Sequence, residues 1–156
     1  MQLHQTTSLT PFEKEAIRSI WNGEYPVKLA LTTMQDMDEY FLGLLNARHS
    51  LLMDGGKVAA WAADFDRNDE RWFAIIVDSR YQHKGVGGRL LDILKHNNGI
   101  LNGWVADHDN DLKQNGDTYR SPLSFYIKHG FEVLHDIRLE LDKLSAVKIR
   151  WTKAGL

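Results

Sequence analysis

Apolar residues recur along the chain at two spacings, and together they predict one continuous α/β fold. Thr10-Pro11-Phe12-Glu13 has the form of a capping box with proline at the first helical position. Phe12, Ala16, Ile17 and Ile20 follow at helical spacing and predict the buried stripe of a first helix. Past the break at Tyr25-Pro26, Met37, Tyr40, Phe41, Leu44 and Leu45 fall at i, i+3, i+4, i+7 and i+8, predicting a second helix from about Met34. Shorter apolar runs predict strands near 50–53, 58–65 and 71–77, an antiparallel meander turning at Asp54-Gly55-Gly56 and Arg67-Asn68-Asp69. A glycine-rich turn leads to a third helix marked by Val86, Leu90, Leu91, Ile93 and Leu94. A strand near 101–106, a polar loop, a short helix at Pro122 and strands near 131–141 and 146–151 complete the order. The pattern does not decide an early strand near Leu3.

Composition narrows the class. A chain of 156 residues suits a single domain spanning 1–156, long enough to bury about 68–70% of its unfolded surface. It has no repeats, linkers or low-complexity tracts. With no cysteine there is no disulfide, thiolate nucleophile or thiolate metal site, which fits a reducing, cytoplasmic setting. Apolar runs such as Phe73 to Val77 are far too short to span a bilayer. Met1-Gln-Leu-His-Gln-Thr-Thr lacks the charge and apolar core of a signal peptide. A formal net charge of −2 argues against a general nucleic-acid binder.

The segment from Val77 to Leu91 carries the most chemical information. An apolar strand runs into Gly85, Gly87 and Gly88, and a helix begins at once. Glycines let the main chain approach a ligand closely, while a helix N-terminus offers unpaired N–H groups and the positive end of its dipole. The combination predicts an anion site of the pyrophosphate kind; a tight strand-to-helix turn is the plainer alternative. A dinucleotide fingerprint would need glycine where Leu90 stands, and no Gly-Lys-Ser/Thr of a P-loop occurs. Arg80, Lys84 and Arg89 gather beside the loop, as a localised anionic ligand or an ordinary solvated surface would have them.

What remains is Gln82-x-x-Gly85-x-Gly87, and downstream Ser121-Pro-Leu-Ser-Phe-Tyr-Ile-Lys-His-Gly-Phe131. Ser121 is placed to cap a helix starting at Pro122, and Gly130 to end it in the left-handed conformation. In this order the two segments resemble the GNAT superfamily of N-acetyltransferases, from about Arg48 to Leu141. The resemblance implies an α/β fold with one mixed, mostly antiparallel twisted sheet of about six to seven strands flanked by about four helices. It also implies acetyl-CoA as acyl donor, no metal, and direct transfer to a primary amine. Gln82, His83, Lys84, Gly85, Val86, Gly87, Gly88 and Arg89 would hold the diphosphate. The main chain of Ile75, Ile76 and Val77 would meet the thioester carbonyl and the pantetheine arm. Tyr126 would give a proton to the departing thiolate. Many members carry an asparagine seven residues before that tyrosine, where this chain has Tyr119; Ser121 or the 107–118 loop is the expected substitute at the cofactor arm.

At pH 7 only about one lysine-like amine in a thousand is neutral, so a base or desolvation must favour the free amine. Asp64 and Asp66 end one strand, Asp107 and His108 another. Asp107 is the expected base because ligands of such sheets gather at the carboxyl ends of the strands flanking the opening; ordered waters are the alternative. The polar 107–118 loop is read as a lid over the acceptor or as a solvated excursion. A calcium loop is excluded because its sixth and twelfth positions are Leu112 and Thr118, and the histidines show no paired spacing for zinc. Trp21, Tyr25, Trp61 and Trp104 either line an acceptor pocket or belong to the core. A non-catalytic acyl-CoA sensor and a nucleotide-binding interaction domain are the rival functions, and a homodimer is left open.

Overall fold

Two capping boxes start the helices that cover one face of the sheet. In the computed structural model, which describes residues 1–156, Glu13 donates its N–H to Thr10 and returns its carboxylate to the Thr10 N–H, so α1 (Pro11–Glu24) begins at Pro11. Thr33 and Asp36 make the same reciprocal pair at α2 (Met34–Leu42). The stripe of α1 is Glu13, Ile17, Ile20 and Trp21, whereas Phe12 is 63% exposed. Phe12 lies one position beside the 13-17-20 row, so its turn of the helix points it away from the sheet. Helix α2 ends at Leu42 with Gly43 as its cap, and the predicted continuation fails there: Leu44 is buried from the connection, and Leu45 is exposed and opens a strand.

That strand is β2 (Leu45–Asp54), which follows an early strand β1 (Gln2–Thr6) and precedes β3 (Lys57–Arg67) and β4 (Glu70–Val77). Helix α3 (Val86–Asn97), β5 (Ile100–Val105), α4 (Leu123–Lys128), β6 (Glu132–Leu141) and β7 (Leu144–Thr152) complete the chain. The strands form one seven-stranded sheet in the order β1-β2-β3-β4-β5-β7-β6. Each neighbouring pair is antiparallel except β4 and β5.

Residues 58–65 of β3 are all buried, as a central strand covered on both faces requires. Alternation divides them. Trp61, Ala63 and Phe65 join Ile17, Trp21, Met37 and Ile76 under α1 and α2. Ala60 and Ala62 join Leu90, Leu91, Leu94, Tyr126 and Phe131 under α3 and α4. Each fully buried leucine of α3 contributes about 1.5–3 kcal/mol relative to an exposed position. No helix is long and apolar enough to cross a membrane.

Candidate active site

The one parallel neighbourhood is also the one that comes apart. Strands β4 and β5 share a single register pair, Trp72 with Asn102, and beyond it they diverge. Residues 71, 75 and 77 of β4 turn their carbonyls toward β5. Arg71 O accepts from Asn102 Nδ2 at 3.0 Å, Ile75 O from the Tyr25 hydroxyl at 3.1 Å, and Val77 O from Gln82 Nε2 at 2.9 Å. N–H and C=O of a strand residue lie on the same edge, so the Ile75 and Val77 amides line the gap. Ile76 does not: it is paired with Trp61 on the β3 side, and its side chain is 3% exposed beneath α1 and α2. The expectation that all three residues face a ligand is corrected by this alternation.

Beyond the open edge, Asp78 caps a single 3₁₀ turn at Ser79–Tyr81, and the chain passes through left-handed conformations at His83 (φ 61°) and Gly85 (φ 78°) before α3. Gly85 is the N-cap, and Arg89 N–H makes the first helical bond back to Gly85 O. The N–H groups of Val86, Gly87 and Gly88 are therefore without intrahelical acceptors. A Cβ on Gly85 would meet nothing within 4 Å, so open space adjoins this turn. Gly87 and Gly88 are glycines for another reason. Added Cβ atoms would stand 3.2 Å from Phe125 Cζ and 3.2 Å from His129 Cε1, both on or capping α4. These two residues let α3 and α4 touch. Val86 is 7% exposed, so its side chain belongs to the core and only its amide faces the loop. Among the expected cations, Arg80 pairs with Asp78 at 2.8 Å and Arg89 Nη1 donates to Met1 O at 3.2 Å. Lys84 Nζ lies 5.9 Å from the Tyr81 ring centre and makes no ion pair.

Tyr126 approaches the gap from the α3–α4 face. Its ring is 8% exposed, packed 5.7 Å from Phe73, 5.2 Å from Phe125 and 5.5 Å from Phe131 between ring centres. Its backbone is fixed because Phe131 N–H returns to Tyr126 O across Gly130, left-handed at φ 88°. Burial and the neighbouring Tyr119 push the phenol well above its usual range, so it is protonated at neutral pH. Helix α4 starts one residue later than expected, at Leu123, with Pro122 as N-cap. Ser121 Oγ donates to Ala106 O and accepts from Leu123 N–H, which ties α4 to the end of β5 and commits the hydroxyl proton expected at a cofactor.

The 107–118 loop is pinned across the α1–α2 connection. Val27 N–H donates to Leu112 O at 2.8 Å, Pro26 bridges Lys113, and Lys28 pairs with Asp111 at 3.3 Å. Lys113 Nζ reaches Glu24 Oε1 at 3.3 Å, while Glu24 Oε2 accepts the Ser79 N–H at 2.7 Å. Tyr119 closes the loop, its N–H on Asp111 O, and its ring centre stands 6.5 Å from that of Tyr25. Burial raises Tyr119 to about 12. The loop is thus tied to the α1–α2 connection through Asp111, Leu112 and Lys113, while most of its residues remain exposed.

The carboxylates considered as bases are all engaged. Arg138 of β6 grips Asp107 with two bonds of 2.8 and 3.1 Å and holds its carboxyl below the usual range. His108 accepts the Asn110 N–H at Nδ1, and its Nε2 is enclosed without a partner. Asp64 is 1% exposed and bonded by Arg48, Arg71 and Asn98 at the closed end of the fork. Asp66 is held by Asn46 and Arg71, which lower its pKa. Of the four aromatic residues singled out, Trp21 and Trp61 are core, Trp104 packs 5.2 Å from Trp72, and Tyr25 alone bonds the open edge. No sequence motif marks Tyr25, because what places it is the end of α1 meeting β4 50 residues later.

Two parallel strands that diverge, a helix N-terminus beside their opening and a buried tyrosine in the core on one side of it make up the candidate site. Residues 46–133 match the family model described as "Acetyltransferase (GNAT) domain". The chain belongs to the GNAT acetyltransferase family. No curated protein matches it in sequence. Among solved structures it is similar to an aminoglycoside 6'-N-acetyltransferase complexed with coenzyme A, at 13% identity and TM-score 0.71, covering 97% of each chain. It is also similar to the aminoglycoside 6'-N-acetyltransferase from Enterococcus faecium, at 13% identity and TM-score 0.69 over 97% of each chain. The ribosomal-protein-S18-alanine N-acetyltransferase from Escherichia coli shares 18% identity at TM-score 0.64, over 99% of this chain and 96% of that one.

Proposed function

We propose that the protein transfers the acetyl group of acetyl-CoA directly to a primary amine. The observation that carries this is the open β4 edge at Ile75 and Val77, continuous with the amides of Gly85 to Gly88 and overlooked by Tyr126. The edge supports the pantetheine arm as a neighbouring strand would, and the amides with Lys84 support the diphosphate. Neutral amine attacks the thioester carbonyl carbon, and the developing oxyanion is met by an edge amide of β4. The C–S bond then breaks as the N–C bond is completed. The thiolate takes its proton from Tyr126 and the amine loses one to water.

Full transfer from a phenol raised above its ordinary pKa of 10 to a thiolate near 8.5 is uphill by at least about 2 kcal/mol. Tyr126 therefore acts first as a hydrogen-bond donor to the departing sulfur. A fixed carboxylate base is left out of this reading, since Asp107 would have to break its paired bonds to Arg138.

Calorimetry with acetyl-CoA, followed by a thiol-release screen of amines, tests the proposal. Tyr126→Phe should retain acetyl-CoA affinity and lose about 10²-fold or more in turnover. Unchanged turnover removes Tyr126 from the mechanism, and absence of acetyl-CoA binding removes the whole reading.

A further inference from the structure

Tyr25 lies outside both signature segments, yet it is the side chain of the α1–α2 face that bonds the open edge of β4. It follows the last residue of α1 and returns its N–H to Trp21 O. Its ring packs edge-on against Trp21 at 4.7 Å. Tyr25 belongs with the core under α1 and α2, and Tyr126 with the core under α3 and α4. The two phenols thus flank the gap from opposite faces of the sheet.

The direction of the Tyr25 hydrogen bond sets what this hydroxyl can do next. Its single proton is donated to Ile75 O at 3.1 Å. A carbonyl oxygen has two lone pairs, so Ile75 can accept from Tyr25 and from an amide of the pantetheine arm together. The phenol oxygen, its proton committed, retains lone pairs that only accept. A neutral primary amine approaching a thioester offers two N–H groups and one lone pair. An N–H donated to Tyr25 Oη leaves the nitrogen lone pair free to face the carbonyl carbon.

We infer that Tyr25 Oη, anchored on Ile75 O, is the acceptor that orients the attacking amine from the face opposite Tyr126. The inference rests on the acetyltransfer reading above. Tyr25 positions the nucleophile and does not deprotonate it: burial, with Tyr119, Tyr40 and Tyr126 nearby, holds the phenol well above its ordinary range. In the reaction the N–C bond forms, the C–S bond breaks, the amine proton leaves to water and the thiolate is protonated from Tyr126. Tyr25 keeps its proton throughout.

The test uses hydroxylamine, a small nucleophile with N–H groups that is neutral at pH 7 and independent of the shape of a larger acceptor site. Thiol release from saturating acetyl-CoA is followed above the solution reaction, beside acetyl-CoA calorimetry and thermal melting. Tyr25→Phe should bind acetyl-CoA within about twofold of the parent and lose about 10- to 100-fold in kcat, the cost of a misplaced nucleophile. Tyr25→Gln, which can both donate to Ile75 O and accept, should recover part of that loss. Retained kcat in Tyr25→Phe overturns the inference, as does a fall in acetyl-CoA affinity parallel to the fall in rate, which would make Tyr25 only a tie between α1 and β4. If the parent protein binds acetyl-CoA without accelerating thiol release, the transferase reading fails and this inference with it.

Discussion

Gly85 and Gly87 are two positions apart and answer to different constraints. Gly85 sits at φ 78° with open space where a Cβ would go, so alanine there is strained without clashing. The left-handed conformation costs a non-glycine residue about 1–2 kcal/mol, and relief would re-aim the amides at the start of α3. Gly87→Ala places a carbon 3.2 Å from Phe125 Cζ and disturbs the seat of α4 instead. Gly85→Ala should therefore weaken acetyl-CoA binding about tenfold or more in calorimetry. Gly87→Ala should lower the melting temperature more than the affinity. His49 carries a separate prediction. It is 5% exposed, accepts the Trp61 Nε1–H at 3.0 Å, and burial depresses it from 6.5 to about 4. Its unfolded form binds a proton that the folded form refuses, so stability is complete above about 6.5 and is lost as pH falls toward about 4. The upper bound is about 3 kcal/mol. Urea unfolding of His49→Gln should show a shallower decline between those pH values than the parent.

At the scale of elements, the ion pair between the end of β5 and β6 separates two roles for Asp107. Arg138 reaches it past an irregularity in the β6–β7 register between Leu134 and Arg138. If Asp107 anchors β6, Asp107→Asn should cost no more than about 1 kcal/mol, as partly exposed pairs do, and leave turnover within about threefold. A general base would cost about 10²-fold or more. The sequence could place Asp107 at a strand end but not reveal its partner 31 residues away. The same boundary separates what was legible from what was not. The capping box of α1, the left-handed Gly130, the turn at Gly85 and the Tyr126 motif are local signals, and each is found where its residues predicted. Leu45 reads as a helical residue because its spacing continues the stripe of α2, while its pairing with Asp66 is decided by β3. Ile76 shares an aliphatic run with Ile75 and Val77, and only the pairing of Trp61 shows which edge it faces. Tyr25 and the docked 111–119 hairpin are long-range arrangements with no spacing to betray them.

For the molecule as a whole, the fork works because one end is clamped while the other is free. At the closed end Asn102, fully buried, donates to Arg71 O at 3.0 Å and accepts from Arg150 Nε at 2.9 Å. Arg150 and Lys148 of β7 both hold Glu70 at the start of β4, at 2.6 and 2.8 Å. Asp64 draws Arg48, Arg71 and Asn98 together nearby. At the open end the edge of β4 is met by single hydrogen bonds from Tyr25 and Gln82. Polar groups thus cross-link β4, β5 and β7 at the end of the fork remote from the gap. Asn102→Leu keeps the volume and removes the side-chain bonds to Arg71 O and Arg150 Nε, at a cost of about 1–3 kcal/mol. Loss of stability alone would be expected of any buried polar deletion. The fork makes a stronger demand: acetyl-CoA affinity should fall as well, by about tenfold or more, although Asn102 lies at the far end of the sheet from the anion loop. Arg138→Ala, which breaks a surface pair near the gap, should leave that affinity unchanged. Were Asn102→Leu to lose stability yet bind acetyl-CoA like the parent, the opening would be set by the helices packed on either face and not by the clamp.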